Sequence, residues 1–166
     1  MPLINVVIRW IVVVLLQILL FNNLQLYGLC QPQVYVLCLL MLPITLPRWA
    51  DMLIGFAFGL LMDVLGNSVG VHTAACTLLM FIRQPLVNAL VQDAERLTGE
   101  ISWTSISPDA FIKYVAILVG IHQTAVSLLS AWGFHHFGMT LLQIIISSAL
   151  CFGLIMGYNV IRDRQK

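Results

Sequence analysis

The stretch GFAFGLLMDVLGNSVGVH, residues 55 to 72, predicts two apolar helices joined by a short turn. Its first half is apolar except for Asp63, and the turn at 66–70 contains the glycine, asparagine and serine that commonly end helices. A carboxylate inside a membrane is costly and normally faces the interior of a helix bundle. The environment of Asp63 therefore depends on what the rest of the chain forms.

The composition indicates an integral membrane protein. The 166 residues are 60% hydrophobic and only 9% charged, whereas soluble domains are about 25% charged. A net charge of +1 without a basic run argues against nucleic acid as a partner and leaves the lipid bilayer. The four cysteines form no C-x-x-C pair, so we expect them to act as small apolar residues.

Six apolar segments predict one all-α transmembrane domain spanning residues 1–166, folded as a compact bundle of about six helices. Pro43 and Pro47 should end the second helix, while Pro85 should kink the fourth. The second and third helices are short, at about 21 and 24 Å, so we expect them to be tilted, supported by neighbouring helices or met by a thinned bilayer. The predicted helices are approximately 3–24, 33–46, 50–65, 71–91, 111–132 and 139–161, with a loop at about 92–107.

The basic residues predict the orientation of the bundle. The predicted loops at 22–32, 66–70 and 133–138 contain no lysine or arginine. With both termini in the cytoplasm, all of the flanking positive charge falls on the cytoplasmic side, as the positive-inside rule requires. These cations are Arg9, Arg48, Arg96, Lys113, Arg162, Arg164 and Lys166.

Asp63 shares one helical face with Gly55, Gly59 and Gly66. Glycines at this spacing allow a neighbouring helix to approach closely. Two interpretations remain open for Asp63: a structural contact to a neighbouring helix or to the turn ending at Gly70, or an ion, proton or ligand site.

Arg83, on the next predicted helix, has two possible roles. It either pairs with Asp63 or extends towards the headgroups.

His72 follows the turn and either joins a polar cluster with Asp63 or is an ordinary interfacial histidine. In the last two helices, small residues at helical spacing predict close packing against other helices. These residues are Gly120, Thr124, Ser127 and Ala131 in the fifth helix, and Ala149, Gly153 and Gly157 in the sixth.

The sequence contains few groups arranged for catalysis. It has no G-x-S-x-G, H-E-x-x-H or P-loop motif, and no segment holds two carboxylates placed as acid and base. A serine and a histidine from different helices could still meet, but the sequence selects no pair. His135 and His136 lack a third ligand for a metal. We therefore predict a protein that is not an enzyme and holds no cofactor or metal.

The region 42–85 resembles the bacterial rod shape-determining protein MreD family. The resemblance rests on LPITLPRW at 42–49, GFAFGLLMDVLGNSVGVHTAA at 55–75 and FIRQP at 81–85, with Gln84 standing between Arg83 and Pro85. Beyond this quarter of the chain, only length and hydropathy agree. The matching positions are Pro43, Pro47, Arg48, Gly55, Phe56, Gly59, Asp63 and Gly70, and more loosely His72, Ala74, Arg83 and Pro85.

The resemblance implies a non-catalytic scaffold of the cell-elongation complex in the bacterial inner membrane. It implies a bundle similar to the substrate-capturing subunits of energy-coupling-factor transporters. The implied direct partner is MreC, a single-span membrane protein. Through MreC the resemblance implies indirect association with the MreB filament, with RodA and with a class B penicillin-binding protein of peptidoglycan synthesis. The candidate packing and partner-assembly residues are Gly55, Gly59, Asp63, Gly66, Gly70, His72, Arg83, Pro85, Gly153 and Gly157.

A substrate-capturing subunit of a vitamin-type transporter is the alternative. The first predicted loop carries polar and aromatic residues suited to cover a ligand, namely Asn22, Asn23, Gln25, Tyr27 and Gln31.

Overall fold

Helices make up the regular structure of the described chain. The computed structural model describes residues 3–21, 31–92, 94, 97, 99–102, 104–130 and 137–163. In chain order the helices are α1, Leu3–Leu16, continued by a π-helical turn at Gln17–Phe21; α2, Val36–Leu40; α3, Arg48–Gly66; α4, Val71–Leu90; α5, Pro108–Ser130; and α6, Phe137–Asp163.

Four of these helices are long and apolar enough to cross a membrane: α3, α4, α5 and the Gly138–Arg162 part of α6. They indicate a membrane protein. The apolar stretch Val6–Phe21 is shorter, at about 24 Å of helical rise. Positions 22–24 of the predicted first helix lie outside the described residues. The described part of the chain thus holds four helices of full spanning length.

The predicted second helix, 33–46, is wrong in its length. Only Val36–Leu40 is α-helical, and the chain from Tyr35 to Leu42 is buried, with each side chain at most 8% exposed. The helix ends early because Pro43 forms an isolated antiparallel bridge with Glu100, and the Ile44 amide donates to the Gly99 carbonyl at 3.1 Å. This segment therefore lies inside the bundle, where neighbouring helices support it.

The turn between α3 and α4 follows from its residue types. Asn67 adopts a left-handed conformation with φ 51°, and Gly70 does so with φ 74° just before α4. Asparagine and glycine tolerate this region better than other residues. The Ser68 amide donates to the Asp63 carbonyl at 3.0 Å and satisfies one of the last carbonyls of α3. The two helices are consequently antiparallel neighbours.

The α5 helix begins at Pro108, three residues before the apolar segment 111–132, because proline suits the first helical position. α6 extends two residues beyond the predicted 139–161 at each end. Its buried face carries Ser147, Cys151, Ile155, Asn159 and Arg162.

The glycines of α5 and α6 correct another prediction. A Cβ added at Gly120, Gly153 or Gly157 would meet no atom within 4 Å. Gly153 and Gly157 are exposed, since the buried face of α6 lies on other residues. These positions therefore do not pack against another described helix of the same chain.

Candidate functional site

Asp63 binds the beginning of α4. Its carboxylate accepts hydrogen bonds from the backbone amides of His72 at 3.0 Å and Thr73 at 2.8 Å, and from the hydroxyls of Ser68 and Thr73 at 2.5 Å each. The helix-capping residue itself, Gly70, contributes no side chain. Asp63 thus supplies from α3 the acceptor that a helix N-terminus requires, and its negative charge suits the positive end of the α4 dipole.

Gly55 and Gly59 bring α3 close enough for this contact. A Cβ on Gly59 would lie 2.6 Å from both the His72 carbonyl oxygen and the Thr73 Cα. A Cβ on Gly55 would lie 2.6 Å from Met80 Cγ and 2.9 Å from the Cys76 carbonyl oxygen. Because backbone atoms of α4 occupy the space of both missing side chains, the glycine face of α3 is the contact surface for α4.

Arg83 pairs with Asp51 and not with Asp63. Its Nη1 donates to Asp51 Oδ2 at 2.9 Å, and both side chains have no exposed surface. Asp51 and Asp63 lie at opposite ends of α3, about 18 Å apart along the helix. The Asp63–Arg83 pairing that the sequence left open is therefore wrong, since Asp63 binds the start of α4 and Arg83 binds Asp51 at the opposite end of α3.

The Arg83 guanidinium also binds the buried segment that follows α2. Its Nη2 donates to the Leu42 carbonyl, and its Nε donates to the Tyr114 hydroxyl at 3.1 Å. Tyr114 in turn donates to the Leu40 carbonyl at 2.9 Å. Since these carbonyls lie where the short helix ends, side chains of α4 and α5 replace the missing helical donors.

Gln84 extends this network along the same segment. Its side-chain amide donates to the Leu46 carbonyl at 2.7 Å and to Asp51 Oδ2 at 3.2 Å. The second carboxylate oxygen of Asp51 is buried and has no hydrogen-bond partner among the described atoms. Because removal of either charge would leave the other one buried and unpaired, this network should be sensitive to single substitutions.

The opposite end of the buried segment is held in the same way. Gln17 accepts from the Val34 amide at 2.8 Å and donates to the Pro32 carbonyl at 3.2 Å. The side-chain amide of Gln123 donates to the Gln31 carbonyl at 3.1 Å, and the Cys151 thiol lies 3.3 Å from the Gln33 carbonyl. Side chains from α4, α5, α6 and the π-helical turn therefore bind backbone groups at both ends of residues 31–46.

This pattern gives the intramembrane polar side chains a common role. Without water, each unpaired backbone group costs several kcal/mol, so non-helical backbone persists at membrane depth only when protein groups bind it. We call residues 31–46 the internal segment. Its carbonyls and amides are the partners of most of the buried polar side chains described above.

A second buried cluster surrounds the hydroxyl of Tyr35. This oxygen lies 2.8 Å from His72 Nδ1 and 3.1 Å from His122 Nε2. The Cys76 sulfur lies 3.7 Å from His122 Nε2 and 4.0 Å from the hydroxyl. Both imidazole rings meet the Tyr35 ring edge to face. His72 thus takes part in both clusters. Its backbone amide donates to Asp63 of α3, and its ring contacts the Tyr35 hydroxyl.

Glu100 binds two arginines at the end of the bundle where α1 begins and α6 ends. Arg9 donates to both of its carboxylate oxygens, at 2.9 and 3.1 Å, and Arg162 donates to one at 2.9 Å. Burial disfavours the charged carboxylate, but hydrogen bonds and charges from Arg9 and Arg162 outweigh it and lower the pKa of Glu100. Glu100 thereby fixes the loop after α4 to both terminal helices.

Pro85 lies inside α4, which continues through it to Leu90. Proline removes the donor for the Phe81 carbonyl. The Arg48 guanidinium lies 3.5 Å from that carbonyl oxygen and 4.8 Å from the centre of the Phe81 ring. Arg48 therefore partly replaces the missing donor from the start of α3.

The remaining predicted site residues lie at turns or on the surface. Gly66 ends α3 and lines a polar cavity next to His72. Pro47 precedes α3 in an extended conformation.

Sequence reasoning missed several residues of these clusters: Gln17, Tyr35, Asp51, Glu100 and Tyr114. One signal was available for Asp51, because Asp51, Gly55, Gly59 and Asp63 follow at intervals of four and share the glycine face. For Gln17 the signal was weaker, a single amide in an apolar run. No periodic pattern marks Tyr35 or Tyr114, whose partners come from distant parts of the chain.

Within the described residues, no group of three or more His, Cys, Asp or Glu side chains is placed to hold a metal ion. In comparisons with known proteins, no family model, curated protein or solved structure matches this chain.

Proposed function

We propose that the chain is a non-catalytic membrane scaffold of a bacterial cell-elongation complex. In this proposal it binds an MreC-like single-span protein and thereby couples an MreB filament to peptidoglycan synthesis by RodA and a class B penicillin-binding protein. The resemblance of residues 42–85 to the MreD family suggests the cell-elongation complex as the assembly to which the chain belongs. The use of buried polar groups to hold the internal segment supports a structural role.

The exposed glycine face of α6 is the observation that carries the proposal. Only 17% of the apolar membrane-spanning stretch of α6 is buried, compared with 33% for α3, 33% for α4 and 44% for α5. Gly153 and Gly157 lie on this helix with open space where a Cβ would stand, beside the exposed Leu150 and Leu154. Glycines four residues apart allow close approach of a second helix. A single-span partner helix fits this face.

The charged end of the bundle supports the proposed orientation. Arg9 and Arg162 meet at Glu100, while Arg48 starts α3 at the end where α4 finishes. By the positive-inside rule we place this end in the cytoplasm of an inner-membrane protein with both termini inside. The proposed bundle of about six helices, similar to substrate-capturing transporter subunits, would add α1 and the internal segment to the four spans.

Copurification from a mild detergent tests the scaffold proposal. We expect the wild-type chain to recover an MreC-like single-span protein, and Gly153→Leu with Gly157→Leu to lose it because the added side chains block helix approach. Gly120→Leu is the matched control. A side chain at Gly120 would also enter open space, but this residue lies on α5, away from the proposed partner face. Recovery of no such protein, or equal recovery by the α6 variant, would contradict the proposal.

Depletion in the native bacterium provides the cellular test. Loss of the scaffold should produce rounded, osmotically fragile cells, because wall synthesis would no longer follow the filament. Cells of normal shape that require a nutrient would instead support the alternative, a substrate-capturing transporter subunit. One observation favours that alternative: a polar cavity of about 230 Å³ beside His72. Its volume is below the 300–1,000 Å³ typical of drug-sized ligand sites.

A further inference from the structure

The polar cavity lies at the end of the bundle that contains Asp63. It is lined, within the described chain, by Gln17, Phe21, Gln31, Gln33, Gly66, Ser68, His72 and Ser130. Gln17 and Gln33 are buried, at 1% and 5% exposed. Its volume of about 230 Å³ equals that of roughly eight liquid water molecules at about 30 Å³ each. A molecule of about ten non-hydrogen atoms or fewer would fit.

The hydrogen bonds of Tyr35 determine which group His72 presents to this cavity. A hydroxyl has one proton, so Tyr35 donates to one histidine and accepts from the other. In one of the two arrangements that fit these contacts, the hydroxyl donates to His72 Nδ1 at 2.8 Å and accepts from the protonated Nε2 of His122 at 3.1 Å. In that arrangement His72 carries its proton on Nε2, the remaining nitrogen of a ring that lines the cavity.

The charge around the cavity disfavours anions. Its described lining contains amides, hydroxyls, an aromatic ring and an imidazole, but no Asp, Glu, Lys or Arg. The nearest carboxylate, Asp63, is occupied by four hydrogen bonds from Ser68, His72 and Thr73. A bound anion would therefore lie near a negative charge without a compensating cation.

We propose that this cavity binds a small uncharged molecule whose carbonyl oxygen accepts a hydrogen bond from His72 Nε2. A carboxamide is the chemical class that fits best, because its NH₂ group also matches the acceptor oxygens of glutamine and serine on the walls. Tyr35 and His122 are positioning residues: they do not line the cavity, and they set the tautomer of His72.

Binding of nicotinamide to the full chain in lipid nanodiscs tests the proposal, with nicotinate as the charged probe of the same size. We expect saturable nicotinamide binding by saturation-transfer NMR, with nicotinate weaker by about tenfold or more. His72→Phe should abolish nicotinamide binding, whereas Thr124→Val, which removes a hydroxyl from the α5 surface outside the cavity, should not alter it. Ser130→Leu provides a second variant, which fills the cavity from its exposed wall without changing the buried cluster.

The ¹⁵N shifts of the His72 ring test the positioning role directly. Wild-type protein should show the proton on Nε2, and Tyr35→Phe should change the tautomer population and weaken nicotinamide binding by about tenfold. The proposal is overturned if the wild-type chain shows no saturable nicotinamide binding, if nicotinate binds equally well, or if Ser130→Leu and His72→Phe leave binding unchanged. Water would then be the only occupant.

Discussion

Replacing Arg83 by methionine removes a buried cation with three partners. The substitution leaves the Asp51 carboxylate without its counter-charge, the Leu42 carbonyl without a donor, and Tyr114 without one hydrogen bond. Breaking a buried ion pair from one side costs about 3–5 kcal/mol. We expect Arg83→Met to lower the free energy of unfolding by about this amount, measured by SDS-induced unfolding in mixed micelles with far-UV circular dichroism.

The double variant separates the buried charge from the lost packing. With Asp51→Asn added, no unpaired charge remains and the main loss is the donor for Leu42, worth about 1–3 kcal/mol. The double variant should therefore be more stable than Arg83→Met alone, which is strong non-additivity. Arg48→Met is the control, because it removes an exposed arginine and should cost about 1 kcal/mol at most. Additive losses from the two single substitutions would refute the pairing.

Three further predictions concern the α3–α4 contact and the Glu100 loop. Gly59→Ala should destabilise by about 1–3 kcal/mol in the same unfolding assay, because its Cβ meets backbone of α4; Gly157→Ala should not. Asp63→Asn should cost about 0.5–2 kcal/mol through the weakened cap of α4, and an unchanged stability would contradict the capping role. Because the pKa of Glu100 is lowered from 4.5 in the folded state, its contribution is present above that value and is lost as pH falls through the folded pKa. Unfolding measured from pH 7 downwards should show this loss in wild type, and Glu100→Gln should reduce it.

The α3–α4 hairpin is the part of the fold that the sequence predicts best. Glycine spacing identifies the face on which Gly55, Gly59 and Asp63 lie, and the turn residues identify where α3 ends. Both signals are local, since they depend on helical periodicity and on backbone conformations that few residues adopt. The structure accordingly gives Asp63 a contact to the turn and to α4, one of the two roles that the sequence left open.

The internal segment could not be predicted from its own residues. A run such as VYVLCLLML is apolar on all sides, which suits a membrane span and a buried core segment equally well. The groups that distinguish the two cases lie far away in sequence, on Arg83, Tyr114 and Gln123. Their buried partners are backbone atoms, which leave no residue-type signature at the contacted positions.

The exposed glycines of α6 show why partner surfaces and internal packing are difficult to separate by sequence. Small residues at intervals of four predict close helix approach, but they do not say whether the second helix belongs to the same chain. In the structure, Gly55 and Gly59 meet α4, whereas Gly153 and Gly157 meet no described atom within 4 Å. The α6 face is therefore where the proposed partner helix should be sought.

Photolabelling from the lipid phase tests the central claim, that the internal segment is enclosed by the bundle. A hydrophobic diazirine activated in nanodiscs containing the native chain should label exposed residues such as Leu53 on α3 and Ile145 on α6, which are 59% and 58% exposed. The peptide covering Tyr35 to Leu42 should remain unlabelled until SDS unfolds the protein, as judged by mass spectrometry. Labelling of this peptide in the folded protein at the level of Leu53 would show a lipid-facing span and contradict the account.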